Sequence, residues 1–98
     1  MQVEKALEDG RLTLKVKGRL DTNTSPELEA ELDLSEVNEV VFDLAGLEYI
    51  SSAGLRVLMA VQKTMIACGG QMTVAHPNAI VKGVFDITGM SDIFTIEE

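Results

Sequence analysis

Apolar and polar residues follow two different periods along this chain, and the change of period predicts where strands give way to helices. From Leu12 to Val16 apolar residues alternate with polar ones. This is the period-two pattern of a half-buried strand, which we expect to end at Gly18. An almost continuous apolar run over residues 40–44 is typical of a central strand covered on both faces. Shorter apolar segments predict further strands over residues 3–7, 71–75 and 93–96.

Three other segments carry helical spacing together with start or stop signals. The first segment has a capping hydroxyl at Thr24 and an early proline at Pro26, which mark the start of a helix. The second segment is followed by glycines at residues 69–70, which mark the end of a helix. We predict the first two helices over residues 26–32 and 52–67, and a third that begins at residue 78 or 79 and stops at residues 88–89. Strands that alternate with helices across short connections predict one α/β domain over residues 1–98. Its mixed β-sheet would have about four to five strands packed with about three to four helices.

The helix predicted over residues 52–67 has more apolar surface than contact with one sheet requires. Val57, Ala60 and Val61 add a second apolar side to it. Two explanations fit this excess: the helix lies between the sheet and a neighbouring helix, or part of its surface docks a partner. Arg56 and Lys63, seven residues apart, lie on its outer face.

The composition narrows the classes of function. Sixteen acidic residues against eight basic ones give a formal net charge of −8. This charge disfavours direct binding to nucleic acid and speeds encounter with a basic protein surface. No apolar run reaches the length of about 18 residues that a membrane span requires, and the first residues lack the features of a signal peptide. With a single cysteine there is no disulfide within the domain, so we expect a cytoplasmic protein.

Few side chains of this sequence are suited to catalysis. Ser52 would need a base within hydrogen-bonding reach, and the single histidine, His76, lies at a predicted strand end. Residues 49–54 lack the Gly-x-Ser-x-Gly pattern of a nucleophile elbow. One histidine with one cysteine offers no metal-ligand spacing, and the glycine patterns of phosphate loops and dinucleotide sites do not occur. We expect no catalytic residue, no metal site and no cofactor.

Two polar positions lie where predicted strands end and predicted helices begin. Ser51 and Ser52 stand at the start of the long helix, where free N–H groups and the helix dipole suit a capping hydroxyl or a phosphate group. Asp21 stands in the polar loop of residues 18–24, where loop solubility or a local turn hydrogen bond is the simpler role. Neither position decides a function by itself.

Together, these positions give the chain a resemblance to STAS domains, specifically to the anti-sigma-factor antagonists of bacterial partner-switching systems. Residues 18–24, with the helix after them, carry one part of the match. Residues 41–58, with the turn at residues 51–54, carry the other. Residues 69–74 and 84–94 fit the family's closing strand, helix and strand. The resemblance implies a STAS-type fold over nearly the whole chain.

The resemblance also implies a protein that is phosphorylated by its own partner. In this family the unphosphorylated antagonist occupies an anti-sigma factor that is also a serine kinase, and this frees a sigma factor for transcription. Phosphorylation releases the complex, and a separate phosphatase restores the active form. The matching acceptor here is Ser52. The ATP and Mg²⁺ of this reaction belong to the partner kinase.

The chain departs from the commoner family motif, Asp-Ser-Ser/Thr-Gly-Leu, at two positions. Ser51 takes the aspartate position, and Ala53 takes the second hydroxyl position. The first change makes Ser51 a second candidate acceptor after Ser52. It also leaves open a specialised relative that is never phosphorylated.

We expect the partner surface to combine the Asp21 loop, the start of the long helix and the exposed helix face beyond it. Its residues are Asp21, Thr22, Asn23, Ser51, Ser52, Ala53, Gly54 and Arg56. Gly54 would either let the partner's backbone approach or serve close packing within the chain. The alternative function is a constitutive STAS adaptor subunit of a lipid-transport or signalling complex, without regulation by phosphorylation. A third is nucleotide binding by the domain itself, at the Asp21 loop and the Ser52 helix start.

Overall fold

The computed structural model describes residues 1–98 as six strands and three α-helices. The strands are β1 (Gln2–Glu8), β2 (Arg11–Leu20), β3 (Glu39–Asp43), β4 (Leu47–Ile50), β5 (Gln71–Ala75) and β6 (Thr95–Glu97). The helices are α1 (Ser25–Ala30), α2 (Ser52–Ala67) and α3 (Ala79–Thr88), followed by a 3₁₀ turn at Met90–Asp92. The prediction of a mixed sheet packed with helices is confirmed. None of the three α-helices combines the length and apolar character that a membrane crossing needs.

The strands lie in the order β1-β2-β3-β5-β6, and β4 pairs with the far end of β2. Only the β1–β2 pair is antiparallel; the other pairs are parallel. Strand β2 is long enough to serve two neighbours, because residues 11–15 pair with β3 and residues 18–20 pair with β4. β2 therefore extends past the end of β3, and β2 and β4 end side by side at one edge of the sheet.

Two strand predictions need correction at this edge. Gly18 does not end β2, which continues to Leu20: the φ of +93° at Gly18 accompanies a register shift between Gly18 and Arg19 within the pairing with β4. The connection predicted between β3 and α2 contains the extra strand β4. Its buried residues, Leu47 and Ile50, are three positions apart, so the segment lacks the alternation that marks a half-buried strand.

One hydrophobic core holds the sheet and helices together. Leu14 of β2, Phe42 of β3 and Val74 of β5 lie side by side in register on the sheet face that carries this core. The helices contribute their buried apolar side chains to the same cluster, among them Leu28, Leu55, Leu58, Val61, Met65, Val81 and Phe85. The central position predicted for residues 40–44 is confirmed, because β3 lies between β2 and β5 with Val40, Val41 and Phe42 all buried.

The two longer helices, α2 and α3, have their predicted bounds, whereas the bounds of α1 and of the last strand differ from the prediction. Helix α2 covers residues 52–67 as predicted and packs on β4, β5 and α1. α2 thus lies between the sheet and α1, which supports the explanation that its excess apolar surface packs against a neighbouring helix. Helix α1 already ends at Ala30, and Leu32 is half-buried beyond it. The last strand begins only at Thr95, because the N–H groups of Ile93 and Phe94 still bond to the carbonyl oxygen of Met90 in the 3₁₀ turn before it.

Candidate functional site

The ends of β2 and β4 bring the two halves of the predicted partner surface together. Leu20 pairs with Ile50, and the N–H of Ser51 donates to the carbonyl oxygen of Leu20 at 2.9 Å. Both strands run in the same direction, so the Asp21 loop and the start of α2 leave the sheet at the same edge. Seven of the eight predicted residues are exposed or half-exposed there: Asp21, Thr22, Asn23, Ser51, Ser52, Ala53 and Arg56.

Ser51 and Ser52 have different structural roles. Ser51 is the N-cap of α2, with extended backbone and a half-buried side chain whose oxygen accepts a hydrogen bond from the N–H of Gly54 at 3.4 Å. Ser52 is the first residue of the helix and its side chain is exposed. The first turn of α2 contains no acidic residue, so no carboxylate there opposes a negative group on Ser52. The hydroxyl of Ser52 is the more accessible of the two.

The conformation of the Asp21 loop is fixed by hydrogen bonds within the loop. One carboxylate oxygen of Asp21 accepts the N–H groups of Asn23 at 3.0 Å and Thr24 at 3.1 Å. These bonds hold the pKa of Asp21 below its ordinary value, and the bond from the N–H of Thr24 has the largest effect. Desolvation of the carboxylate acts in the opposite direction. The carbonyl oxygen of Asp21 accepts the hydroxyl of Ser25 at 2.6 Å. The local-turn role considered for Asp21 is therefore present in the structure.

The capping role predicted for the Thr24 hydroxyl is wrong. Thr24 occupies the N-cap position of α1 but makes no side-chain cap hydrogen bond. Its hydroxyl instead donates to the carbonyl oxygen of Arg19 at 2.8 Å and accepts the N–H of Asp21 at 2.8 Å. Thr24 thus ties the loop back to β2, because its side chain reaches across the turn and away from the helix.

Gly54 is the one buried residue of the predicted partner surface. A Cβ atom added there would lie 2.7 Å from Cγ of Leu20 and 2.9 Å from Cγ1 of Ile50. Both distances are too short for carbon atoms in contact. Close packing within the chain therefore accounts for Gly54, and it seats the start of α2 directly on the ends of β2 and β4.

A groove between α1 and α2 extends this surface away from Ser52. It has a volume of about 400 Å³, and six of its twelve lining residues are hydrophobic. Its lining includes Thr22, Pro26, Glu29 and Leu32 from the α1 side, and Ala53, Arg56, Ala60 and Thr64 from α2. Thr22, Ala53 and Arg56 belong to both the groove and the predicted partner surface. The groove is a concave surface of the kind a docking partner needs. It therefore agrees with the second explanation for the excess apolar surface of α2, namely that part of this surface docks a partner.

Comparison with known proteins places this geometry in a family. The profile of the STAS domain family matches residues 2–98. The chain belongs to the STAS domain family. BtrV of Bordetella bronchiseptica, provisionally named an anti-sigma factor antagonist, is 38% identical over 92 residues, which cover 90% of this chain and 78% of BtrV. The anti-sigma F factor antagonist of Paenibacillus polymyxa is 28% identical over 98% of this chain and 86% of its own length.

Solved structures of the anti-sigma factor antagonist SpoIIAA share the fold. Its unphosphorylated form superposes with a TM-score of 0.85 at 15% identity, covering 99% of this chain and 89% of SpoIIAA. The phosphorylated form of SpoIIAA, from Bacillus, superposes with a TM-score of 0.78 at 14% identity, covering 99% and 92% of the two chains. The recognition of a STAS domain from residues 18–24 and 41–58 is confirmed.

The STAS surface also contains a pair of residues that the sequence analysis missed. The guanidinium of Arg19 lies 4.5 Å from the centre of the Tyr49 ring, a cation–π contact between neighbouring residues of β2 and β4. Arg19 immediately precedes the Leu20–Asp21 end of β2 and is exposed. The pairing could not be found from the sequence because β4 was not predicted, although both residues lie in the two motif segments.

The remaining chemically reactive residues of this STAS domain lie apart from one another. His76 is exposed in the loop after β5, where its backbone N–H donates to the carbonyl oxygen of Glu97 at 2.7 Å. Cys68 is exposed at the end of α2. No group of three His, Cys, Asp or Glu side chains is placed to hold a metal ion. The surface around Ser52 is therefore the candidate functional site.

Proposed function

We propose that this STAS domain is an anti-sigma-factor antagonist that acts by binding, not by catalysis. In its unphosphorylated form it binds a cognate anti-sigma factor and thereby frees a sigma factor. The names of BtrV and of the Paenibacillus relative support this function. The observation that carries the proposal is the exposed hydroxyl of Ser52 at the N-terminus of α2, beside the Asp21 loop and the α1–α2 groove.

Phosphorylation of Ser52 is the proposed switch. A phosphate group adds about −1.5 to −2 charges near neutral pH. The free N–H groups and dipole of the α2 N-terminus favour that charge by about 0.3–1 kcal/mol, so the fold tolerates it. Within an interface, the same group must lose hydration or meet acidic groups of the partner. Because tenfold weaker binding costs only about 1.4 kcal/mol, phosphate can release the complex without unfolding the antagonist.

Ser51 is the less suitable acceptor. Its side chain is half-buried and caps the helix through the N–H of Gly54, so its modification removes that cap. Ser52 makes no such contribution and projects from the first turn into solvent. These differences support Ser52 as the site and keep Ser51 as the second choice.

The proposed partner is an anti-sigma factor with serine kinase activity, and a separate phosphatase reverses the modification. ATP and Mg²⁺ would be bound by the kinase, whose active site must reach the α2 N-terminus. The groove offers that partner an apolar contact beside Arg56 and Glu29, which supply charges of opposite sign. With a net charge of −8, the antagonist would also be drawn toward a basic partner surface, most strongly at low salt.

The test is site-mapped mass spectrometry of the protein incubated with ATP and its cognate anti-sigma factor. We expect one added phosphate on the wild type and none on Ser52→Ala. The matched variant Ser51→Ala should still accept one phosphate. Phosphate on Ser52→Ala but not on Ser51→Ala would move the acceptor to Ser51. No phosphate on the wild type, with a stable complex still formed, would favour the constitutive STAS adaptor instead.

A further inference from the structure

The outer face of α3 carries an apolar line that no other part of the chain covers. Ile80 is 61% exposed and Ile87 is 90% exposed, and Gly83 lies between them on the same helix face because positions i, i+3 and i+7 align. Val81 and Phe85, on the opposite side of α3, are fully buried in the core. The packing of α3 within the chain is thus complete without the outer line.

No packing contact within the chain requires a glycine at position 83. A Cβ atom built on it would meet nothing within 4 Å, so an alanine would fit without a clash. Glycine in a helix interior is also less favourable than alanine. What a glycine at this position provides is room for another backbone to approach the helix closely.

The line is self-complementary. The centre of residues 80–87 falls between Gly83 and Val84. If a second copy of α3 crosses there in the antiparallel direction, Ile80 meets Ile87 of the second copy, and each Gly83 faces a half-buried Val84. Such a two-fold contact uses the same patch on both chains, as closed dimers do. Large side chains then lie at the two ends and the smallest residue lies at the crossing point.

The charges beside the line match the same arrangement. Lys82 and Asp86 lie on one side of the line and form an ion pair at 3.2 Å. They are the only charged residues of α3, so this helix is neutral in a chain of net charge −8. A two-fold crossing keeps this side of each helix together and brings Lys82 close to Asp86 of the second copy. Two copies that meet through α3 therefore bring no net like charge together at this helix.

We propose that α3 is a self-association surface, through which two copies of this chain form an antiparallel α3–α3 dimer. A contact between two ten-residue helices lies at or below the lower limit of about 1,200 Å² for specific stable interfaces. The dimer is therefore expected to be weak. The surface is separate from that around Ser52. The Asn78 amide that precedes α3 donates to the Leu47 carbonyl oxygen at the start of β4, whereas Ser51 follows the end of β4.

Sedimentation equilibrium of the unphosphorylated full chain, at concentrations up to about 1 mM, tests the proposal. We expect a monomer–dimer equilibrium for the wild type and at least a tenfold larger dissociation constant for Ile87→Lys. The matched control is Ile66→Lys, at a site on α2 that is 66% exposed, which should dimerise like the wild type. A wild type that remains monomeric would overturn the proposal, as would a dimer that survives Ile87→Lys.

The variant Gly83→Ala distinguishes an effect on dimerisation from an effect on the stability of the fold. In the monomer the added methyl group meets open space and should raise the thermal stability of α3 and of the domain. In the dimer it keeps the helices apart at their crossing point and should weaken association about tenfold. A more stable Gly83→Ala protein that dimerises about tenfold more weakly than the wild type is the expected result. Unchanged or stronger dimerisation by this variant would show that the helices do not cross at Gly83.

Discussion

Ser51 and Leu20 are joined by a hydrogen bond of 2.9 Å from the backbone N–H of Ser51 to the carbonyl oxygen of Leu20. It continues the parallel pairing of β4 with β2 by one residue, up to the first turn of α2. As a result the Asp21 loop and the Ser52 hydroxyl, which are distant in sequence, share one edge of the sheet. The proposed partner surface depends on this short pairing.

The charge at residue 52 should affect binding much more than stability. Ser52→Glu places a negative group at the N-terminus of α2, where the helix dipole favours it by about 0.3–1 kcal/mol. We therefore expect thermal unfolding of Ser52→Glu to match or slightly exceed that of Ser52→Ala. Binding to the anti-sigma factor, measured by calorimetry, should be at least tenfold weaker for Ser52→Glu. Equal binding by the two variants would argue against a charge-based switch.

Removing the Ser51 hydroxyl should affect the stability of the fold more than the binding of the partner. Ser51→Ala loses the N-cap of α2, which costs about 0.5–2 kcal/mol in the free energy of unfolding. We expect the lower part of that range because the cap bond to Gly54 is long, at 3.4 Å. Urea denaturation measures the loss, and Ser51→Asp, which retains an acceptor oxygen, should recover most of it. A fully stable Ser51→Ala protein would show that the cap contributes nothing.

Gly54 and Gly83 should respond oppositely to alanine. At Gly54 the new methyl group would overlap Leu20 and Ile50, so Gly54→Ala should lower the free energy of unfolding by about 1–3 kcal/mol. At Gly83 the methyl group is unobstructed, and Gly83→Ala should raise it by about 0.5–1 kcal/mol. Both variants are compared by urea denaturation at low protein concentration. A stabilising Gly54→Ala substitution would contradict the close packing of α2 on the ends of β2 and β4.

Asp21 should make the fold sensitive to acid. Its folded-state pKa lies below the ordinary value of 3.8 because the N–H of Thr24, above all, favours the carboxylate. Its contribution is thus fully present above about pH 4 and is lost as the pH falls through the folded-state pKa. Asp21→Asn keeps an acceptor oxygen without the charge. The stability advantage of the wild type over Asp21→Asn, followed by urea denaturation, should shrink below about pH 4. An advantage independent of pH would indicate that the charge plays no part.

Local signals explain which parts of the fold were predictable. The bounds of α2 could be predicted because a capping serine begins the helix and a pair of glycines follows it. β4 and the continuation of β2 past Gly18 could not, since both depend on the pairing of segments that are distant in sequence. The Arg19–Tyr49 contact was missed for the same reason.

The candidate site was predictable to a similar extent. The residues at the ends of β2 and β4 could be named from their motifs, because those motifs carry the family resemblance. The groove could not be predicted, since it exists only where α1 packs beside α2. Gly54 was assigned two possible roles, and only the positions of the Leu20 and Ile50 side chains distinguish them.

The most direct test of the switch is the affinity of one anti-sigma factor for the antagonist before and after stoichiometric phosphorylation of Ser52. Calorimetric titration of both forms, with circular dichroism to verify that the fold is intact, makes the comparison. We expect at least tenfold weaker binding by the phosphorylated form, equivalent to about 1.4 kcal/mol, with an unchanged spectrum. Equal affinity of the two forms would contradict the account.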